Sequence, residues 1–273
     1  CIAESSFIHS VKIKALSPVS MLKLVRTIAL FFLLFSYPAI AQQFSNARFW
    51  GSSQGLKSTG VKIIEDDKDG MIWIGTYSGL VRFDGRSFVA FDKIISGHKL
   101  GSELIHSMVA VNHQLWISSE SGLYVFDLSD YSLKQILLPD VKGNLNAKFR
   151  SRDLIKTSRN QILIGGSNGY LWLAKSDHDI VAKTNNLDGG KPFNPILFFT
   201  NQGKDSVWFH SDNGDIYCFN TLKEELIYHH NLNVDLHHIF YIPGLGINIK
   251  RNIMMYRFDP QKRECKLWDK HPF

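Results

Sequence analysis

A short segment, which contains tryptophan and glycine in its clearest copies, occurs five times along the chain at nearly regular intervals. Its first copy, residues 72–84, reads IWIGTYSGLVRFD, and its second, residues 115–127, reads LWISSESGLYVFD. Weaker copies follow at residues 162–173, 207–219 and 247–259. The tryptophan position falls at 73, 116, 163, 208 and 248, which gives steps of 43, 47, 45 and 40 residues. A period of about 40–45 residues is typical of β-propeller blades.

The local pattern within one period distinguishes strands from helical repeats of similar length. Short apolar stretches alternate with turn signals, which are Asp-Lys-Asp-Gly at 67–70 and Asp-Gly-Arg at 84–86, and no helical stripe of apolar residues is present. A single blade is too thin to bury both of its faces, so neighbouring blades must stack. The sequence therefore predicts an all-β propeller of about five four-stranded blades, at residues 60–98, 103–141, 148–188, 194–232 and 236–273.

The sequence does not determine how many blades the complete ring contains. Five blades can close on themselves or can form an open arc of a larger ring. Residues 47–50 are predicted to form an additional strand ahead of the first blade, of the kind that completes the last blade of a closed propeller.

The recurring residues are interpreted as structural. Tryptophan and β-branched residues suit the faces between packed sheets, and the shared glycine suits a turn that requires a positive φ. The residues assigned to this structural repeat are Trp73, Gly75, Gly79, Trp116, Gly122, Gly169, Trp208 and Gly214.

The first 41 residues are predicted to lie outside the repeat array. Residues 1–20 are interpreted as non-native upstream translation, because Met21 is a better start. Residues 21–41 have the basic, apolar and small-residue parts of a secretory signal peptide, with cleavage after Ala41. The apolar run at 27–35 is shorter than the roughly 20 residues that span a bilayer, so a cleaved leader is preferred to a membrane anchor. We expect a periplasmic or secreted protein with no membrane span in the mature chain.

Charge and cysteine content narrow the classes of function. The chain carries a formal net charge of +6, but beyond residue 41 it has 27 basic and 24 acidic residues without a dense basic patch. A nucleic-acid partner is therefore not expected. Two cysteines remain beyond the leader, Cys218 and Cys265. Export permits a disulfide between them, but a buried thiol at Cys218 is the simpler interpretation, and the sequence leaves their pairing open.

The first repeat resembles the two-component regulator propeller repeat of bacterial periplasmic sensors. Residues 63–85, which read IIEDDKDGMIWIGTYSGLVRFDG, carry the resemblance together with Phe88, Phe91 and the preceding residues 49–58. The resemblance is strong over residues 50–130 and rests on periodicity beyond them. It implies a seven-bladed ring, so an open arc of such a ring is one of the two arrangements expected for this chain, beside five blades that close on themselves. In the full-length proteins an immunoglobulin-like domain, a membrane helix and a histidine kinase or DNA-binding regulator follow.

The resemblance also implies a function. We expect the ligand-sensing propeller of a two-component regulator from a Bacteroidetes-type bacterium, responsive to glycans and non-catalytic in this chain, with any kinase activity downstream. The expected partners are a small-molecule or oligosaccharide ligand and a second copy of the chain that associates through a downstream region. No cofactor is expected. Two alternatives are an exported protein-interaction scaffold and a propeller enzyme that acts on polysaccharide.

Candidate ligand-binding residues are sought in the loops between blades, because a rigid scaffold presents functional groups on loops. The candidates are His98, Lys99, Arg150, Arg152 and Lys191. No Ser/His/Asp arrangement, phosphate loop or zinc-ligand spacing is visible, so no catalytic residue is assigned.

Two features look like metal sites but are given simpler interpretations. The Asp-Lys-Asp-Gly sequence at 67–70 is similar to the start of a calcium loop, but apolar residues follow where further oxygen ligands are needed, so a polar hairpin turn is favoured. Adjacent residues of a strand point to opposite faces, so neither His229–His230 nor His237–His238 can chelate as a pair. These histidines are expected in exposed loops between blades, and no metal site is predicted.

Overall fold

The structure, a computed structural model, describes residues 26–27, 48–56, 58–91, 104–140, 142–146, 150–167, 169–189 and 193–268. The predicted leader, apart from residues 26–27, lies outside the described residues, as do His98, Lys99 and Lys191. The chain divides into a unit of residues 1–49 and a unit of residues 50–273, and the second contains all the strands set out below. None of the described helices has the length and apolar character needed to cross a membrane.

The second unit contains five four-stranded sheets in which consecutive strands pair antiparallel in chain order. Sheet 1 consists of β1 (Val61–Asp66), β2 (Ile72–Thr76), β3 (Gly79–Phe83) and β4 (Phe88–Ala90). Sheet 2 consists of β5 (Ile105–Val111), β6 (Gln114–Ser119), β7 (Gly122–Asp127) and β8 (Leu133–Ile136). A two-stranded ribbon follows, formed by β9 (Leu138–Pro139) and β10 (Leu145–Asn146).

The three remaining sheets have the same order. Sheet 3 consists of β11 (Ser151–Lys156), β12 (Ile162–Gly166), β13 (Leu171–Ala174) and β14 (Ile180–Lys183). Sheet 4 consists of β15 (Ile196–Gln202), β16 (Ser206–Ser211), β17 (Asp215–Asn220) and β18 (Glu225–Asn231). Sheet 5 consists of β19 (His238–Ile242), β20 (Gly246–Arg251), β21 (Met254–Asp259) and β22 (Glu264–Leu267). Short 3-10 turns lie at Ser52–Gln54 and Asn186–Asp188.

The first strand of each sheet lies beside the first strand of the next, so these inner strands line a common axis and the sheets radiate from it. This is the arrangement of propeller blades, and the all-β propeller prediction with four-stranded blades is confirmed. In each sheet the inner strand begins at the end where the turn between the second and third strands lies. We call this end the upper end.

Apolar clusters between successive sheets form the core, and the tryptophan position of the repeat faces the following sheet. Trp73 is 1% exposed and packs edge-on against Phe126 of sheet 2, with ring centroids 5.4 Å apart. Trp116 lies in the cluster between sheets 2 and 3, and Trp208 lies in the cluster between sheets 4 and 5. At the same position sheet 3 has Leu163, which packs toward sheet 4. The recurring tryptophans therefore act as packing residues between blades.

The segment ahead of sheet 1 differs from the prediction, since residues 48–50 form no strand. The Trp50 ring instead packs edge-on against Phe83 and Phe88, at centroid distances of 4.9 and 5.8 Å. Leu56 packs with Ile74 on the same face of sheet 1. An apolar ring placed on an uncovered sheet face buries more surface than an exposed edge strand does, which explains why this segment covers the face.

Candidate functional site

In sheets 1 to 4 a glycine lies at the start of the third strand or just before it, and it fixes the turn at the upper end. Gly79, Gly122, Gly169 and Gly214 all have positive φ, at 104°, 143°, 78° and 87°. Gly214 is also approached by the connection to sheet 5, because a Cβ there would lie 2.3 Å from the Val234 carbonyl oxygen. The turns of the upper end are therefore held in one conformation, and they form a rigid support for the side chains around them.

The hydroxyl that precedes the turn completes it. Thr76 Oγ1 donates to the Gly79 carbonyl oxygen at 2.9 Å and accepts from the Ser78 N–H at 3.0 Å. Ser119 makes the equivalent contacts in sheet 2, with the Gly122 carbonyl oxygen and the Ser121 N–H. The Gly-Thr…Ser-Gly motif of the first repeat therefore forms a hydrogen-bonded turn.

The Asp-Lys-Asp-Gly sequence at the opposite end of sheet 1 is a hairpin turn. Asp67 Oδ1 accepts the Asp69 and Met71 N–H groups at 2.9 and 3.0 Å, and Oδ2 accepts Trp73 Nε1–H at 2.7 Å. Both carboxylate oxygens are therefore engaged by the protein. Within the described residues, no group of three His, Cys, Asp or Glu side chains is arranged to hold a metal ion.

Four inner strands carry a β-bulge at the same place near the upper end. The register with the second strand shifts between Val61 and Ile63, and likewise in sheets 2, 3 and 4. A bulge leaves one residue out of the ladder and redirects its side chain. The residues left out are Lys62, His106, Arg152 and Leu197, and the corresponding residue ahead of sheet 5 is His237.

Basic side chains therefore collect at the upper end of the inner strands. We call this group the axial basic cluster, which comprises Lys62, His106, Arg150, Arg152, His237, His238 and Lys250.

Glu120, in the turn between β6 and β7, joins two sheets within this cluster. Arg150 Nη1 donates to Glu120 Oε1 at 2.6 Å, and His106 Nε2 lies 2.8 Å from Oε2. The hydrogen bond with His106 and the charges of Arg150 and Arg152 lower the pKa of Glu120. Glu120 is therefore ionised at neutral pH and holds Arg150 of sheet 3 beside sheet 2.

The charges of the cluster extend from the first sheet to the last. The Lys62 ammonium lies 5.5 Å from the centroid of the Tyr77 ring. Burial and the charges of Lys250, His237 and Lys62 lower the pKa of His238. Since Lys62 belongs to sheet 1 and His238 to sheet 5, their mutual effect places these two sheets around the same axial space.

His210 lies just behind the cluster, at the position where sheets 1 and 3 have Gly75 and Gly165. Its side chain is fully buried, and Nδ1–H donates to the Ser211 carbonyl oxygen at 3.0 Å. Burial lowers the pKa of His210 to about 4, so the ring is neutral at pH 7. Its Nε2 has no hydrogen-bond partner among the described residues. His210 also lies against Phe198 of the inner strand, with ring centroids 5.8 Å apart.

A second polar group at the upper end surrounds Asp215, which is 4% exposed. Its Oδ1 accepts hydrogen bonds from His229 Nε2–H and Asn231 Nδ2–H, both at 2.8 Å, and its Oδ2 accepts from Asn194 Nδ2–H at 2.7 Å. Burial opposes ionisation of Asp215, but these hydrogen bonds outweigh it and lower the pKa. This group ties the loop before sheet 4 to its outer strand.

The prediction that the histidine pairs lie in loops is wrong for three of the four residues. His238 begins β19, where it pairs with Lys250. His229 and His230 belong to β18, where they pair with Tyr217 and Ile216. His229 stacks on Tyr217 within sheet 4, with centroids 4.6 Å apart, whereas the His230 ring lies 6.5 Å from Phe258 of sheet 5. The two rings therefore contact different neighbours, as expected for adjacent residues of a strand.

Of the predicted ligand-binding residues that the structure describes, Arg150 and Arg152 both lie in the axial basic cluster. Sequence reasoning did not include Lys62, His106 or His238 in that site. A usable signal existed, because a basic residue recurs ten or eleven residues before the tryptophan position at 62, 106, 152 and 237.

The two cysteines are unpaired. Cys218 is buried and Cys265 is exposed, and both thiols are free. Burial raises the pKa of Cys218 to about 12, which makes it an unreactive core residue.

Part of the chain is similar in sequence to known proteins. Residues 55–78 match the family described as "Two component regulator propeller". A 60-residue stretch is 42% identical to Histidine kinase P4 of Formosa agariphila, and it covers 20% of this chain and 4% of the kinase.

Two solved structures are similar in fold. The extracellular domain of a putative hybrid two-component system from B. thetaiotaomicron aligns with a TM-score of 0.67 at 15% identity, over 80% of this chain and 31% of that chain. PorZ of Porphyromonas gingivalis, a surface component of the type-IX secretion system, aligns with a TM-score of 0.57 at 16% identity, over 82% of this chain and 29% of that chain. This chain thus spans less than a third of either structure. Residues 55–78 therefore match a repeat of the two-component regulator propeller family, and they lie within a five-sheet propeller segment.

Proposed function

We propose that the propeller is the ligand-sensing part of a two-component regulator and that it works outside the cytoplasm. The observation that carries this proposal is the regulator propeller repeat at residues 55–78, set in a fold similar to an extracellular domain of a hybrid two-component system. The sequence relative is named as a histidine kinase. On this proposal a kinase or DNA-binding region lies downstream and responds to ligand bound at the propeller.

The proposed ligand is a glycan fragment, bound without chemical change. Acid–base hydrolysis of a glycosidic bond uses a pair of carboxyl groups, one of which has a raised pKa. Glu120, in the axial basic cluster, and Asp215, toward the outer strand of sheet 4, both have lowered pKa values and accept hydrogen bonds from the protein. Burial raises the pKa of Asp153 on the inner strand of sheet 3, but both of its carboxyl oxygens are engaged by backbone N–H groups. Their chemistry supports recognition and positioning rather than proton donation.

Signalling follows from differential binding. A ligand shifts an equilibrium between two arrangements only by the difference in its affinity for them. We propose that the arrangements are those of two copies of the sensor, which meet through a region downstream of the propeller. A ligand that contacts several inner strands at once favours one relative position of the sheets. This position in turn favours one arrangement of the two copies, through the downstream region.

Export by the predicted leader belongs to the same proposal. Mass spectrometry of the protein secreted from a host that recognises the leader is expected to give a mature N-terminus at Gln42. A mature protein that retains residues 21–41 would contradict cleavage after Ala41.

Calorimetry of the full chain against neutral and acidic oligosaccharides tests the sensing proposal, with chromatography of the sugars after incubation. Saturable binding with unchanged sugars is the expected result. Shortened sugars would show hydrolysis, which would contradict the sensing proposal in favour of an enzyme that acts on polysaccharide. Absence of binding across the whole set would overturn the glycan proposal in favour of a protein-interaction scaffold.

A further inference from the structure

We propose that the axial basic cluster recognises an acidic oligosaccharide through its carboxylate or sulfate groups. This inference rests on the proposed sensing function and gives its ligand a chemical class. It is carried by where the bulges place side chains, by the pairing of Arg150 and by two exposed aromatic rings beside basic groups.

The bulges supply the first argument. Three of the four residues that leave the inner-strand ladders are Lys62, His106 and Arg152, and they come from three successive sheets. Lys62 and Arg152 are exposed. Neither forms an ion pair with another residue of the described ranges. Among the described residues, neither cation is neutralised by a carboxylate within ion-pair distance, so each retains a charge that can attract an anionic group.

The second argument is the arrangement of Arg150. Glu120 contacts Arg150 Nη1 at 2.6 Å and His106 Nε2 at 2.8 Å, so one carboxylate holds both side chains at the rim of the axial space. A guanidinium has five donors, and its planar fork matches carboxylate and sulfate oxygens. Arg150 held in this way presents its remaining donors with little loss of side-chain entropy.

The third argument is the pairing of rings with basic groups. Tyr77 is 55% exposed and lies under the Lys62 ammonium, and Phe198 is 38% exposed with its ring centroid 4.2 Å from that of His238. Exposed aromatic surface packs against the apolar faces of sugar rings, while the Lys62 ammonium beside Tyr77 suits an acid group on the same sugar. The neutral ring of His238 beside Phe198 can donate a hydrogen bond to that group. An aromatic ring beside a basic group therefore matches an acidic sugar better than a neutral sugar or a simple anion.

The repulsion within the cluster is consistent with a binding role. Lys62, His237 and Lys250 together disfavour a charge on His238. Like charges held together destabilise the folded chain, and an anionic ligand relieves that repulsion. Binding is therefore expected to weaken steeply as salt concentration rises.

The experiment compares tetragalacturonate with its fully methyl-esterified form, which has the same backbone without the charges, by calorimetry on the full chain at two salt concentrations. A chondroitin sulfate tetrasaccharide extends the comparison to sulfate. The acid forms are expected to bind, the ester at least about tenfold more weakly, and Lys62→Met and Arg152→Gln each to weaken acid binding by about tenfold.

Matched controls are Lys68→Met and Arg159→Gln, which remove the same charges at exposed positions on the opposite end of sheets 1 and 3. They are expected to change affinity less than about twofold, and all four variants should keep the parent melting temperature. An equal loss in the controls would mean general surface attraction, and equal binding of a single-stranded oligonucleotide would mean a non-selective polyanion site. Either result overturns the inference.

Two outcomes separate this inference from the sensing function beneath it. If the ester or another neutral oligosaccharide binds as tightly as the acid, sensing stands and the acidic class is wrong. If no acidic or neutral oligosaccharide binds, the glycan-sensing proposal fails as well.

Discussion

Asp153 shows how a single half-buried carboxyl holds three sheets together at the axis. Its Oδ2 accepts the Phe199 N–H of sheet 4 at 2.9 Å, its Oδ1 accepts the Leu154 N–H at 3.0 Å, and Ser107 of sheet 2 also hydrogen-bonds to it. Burial nevertheless raises its pKa from 3.8 to about 6, because it disfavours the charged form more than these contacts favour it. Between pH 3.8 and about 6, the folded state therefore retains a proton on Asp153 that the unfolded chain releases.

The raised pKa of Asp153 determines how this residue makes the stability of the fold depend on pH. Asp153 contributes fully to the free energy of unfolding below pH 3.8, its pKa in the unfolded chain. This contribution is lost as the pH rises through about 6, its pKa in the folded chain. Asp153→Asn cannot ionise and keeps one acceptor oxygen for Phe199. Urea denaturation is expected to show the variant more stable than the parent at pH 7.5, by about 1–3 kcal/mol, with the gap closing toward pH 4. A gap that widens as pH falls would show that the ionised form is the stabilised one.

His210 acts in the opposite direction. Its folded pKa of about 4 lies below the ordinary value of 6.5, so the unfolded chain binds the extra proton. Its contribution is full above pH 6.5 and is lost as pH falls toward 4. His210→Gln is expected to flatten the loss of stability over this interval in the same urea experiment. His178→Gln, at an exposed side chain, is the control and should follow the parent curve.

At the scale of single elements, the turns of the upper end were the part most open to prediction. Trp73 and Gly79 recur at fixed spacing, and each has a local requirement that its residue type reveals. The axial basic cluster was not predicted as a group, because the inner strands share little sequence beyond one recurring basic position, and a bulge arises from pairing between strands. Arg150 and Arg152 were found only as basic residues of an inter-blade connection.

One strict turn requirement lies at Gly214, where positive φ coincides with the close approach of the Val234 backbone. Gly214→Ala is expected to destabilise the chain by about 2–4 kcal/mol, since it adds a steric clash to an unfavourable backbone conformation. Gly203→Ala separates the two effects, because its φ is 66° but a Cβ there meets nothing within 4 Å. That control is expected to cost about 1 kcal/mol in chemical denaturation. Equal losses would show that the contact with Val234 carries no energy.

At the scale of the whole molecule, sheet 5 differs from the sheets before it. On the face where sheets 1, 2 and 4 have tryptophan it carries Asn248, whose register partner is Arg257. Its apolar residues, including Ile249 and Phe258, pack toward sheet 4, and its last strand, Glu264–Leu267, is exposed throughout. The period alone predicted a fifth blade, but the chemistry of its second face became clear only from the strand register.

A stacked array is stabilised mainly by contacts between neighbouring units, so sheet 5, with one apolar interface, should open before sheets 2 to 4. Hydrogen exchange followed by mass spectrometry is expected to show β20 and β21 exchanging faster than β6 and β12. Trp208→Ala removes the largest ring of the interface between sheets 4 and 5 and should cost about 3–5 kcal/mol there. Exchange in sheet 5 should then approach that of an unprotected segment while sheet 2 stays protected. Uniform acceleration in all five sheets would instead mean that the array unfolds as one cooperative unit.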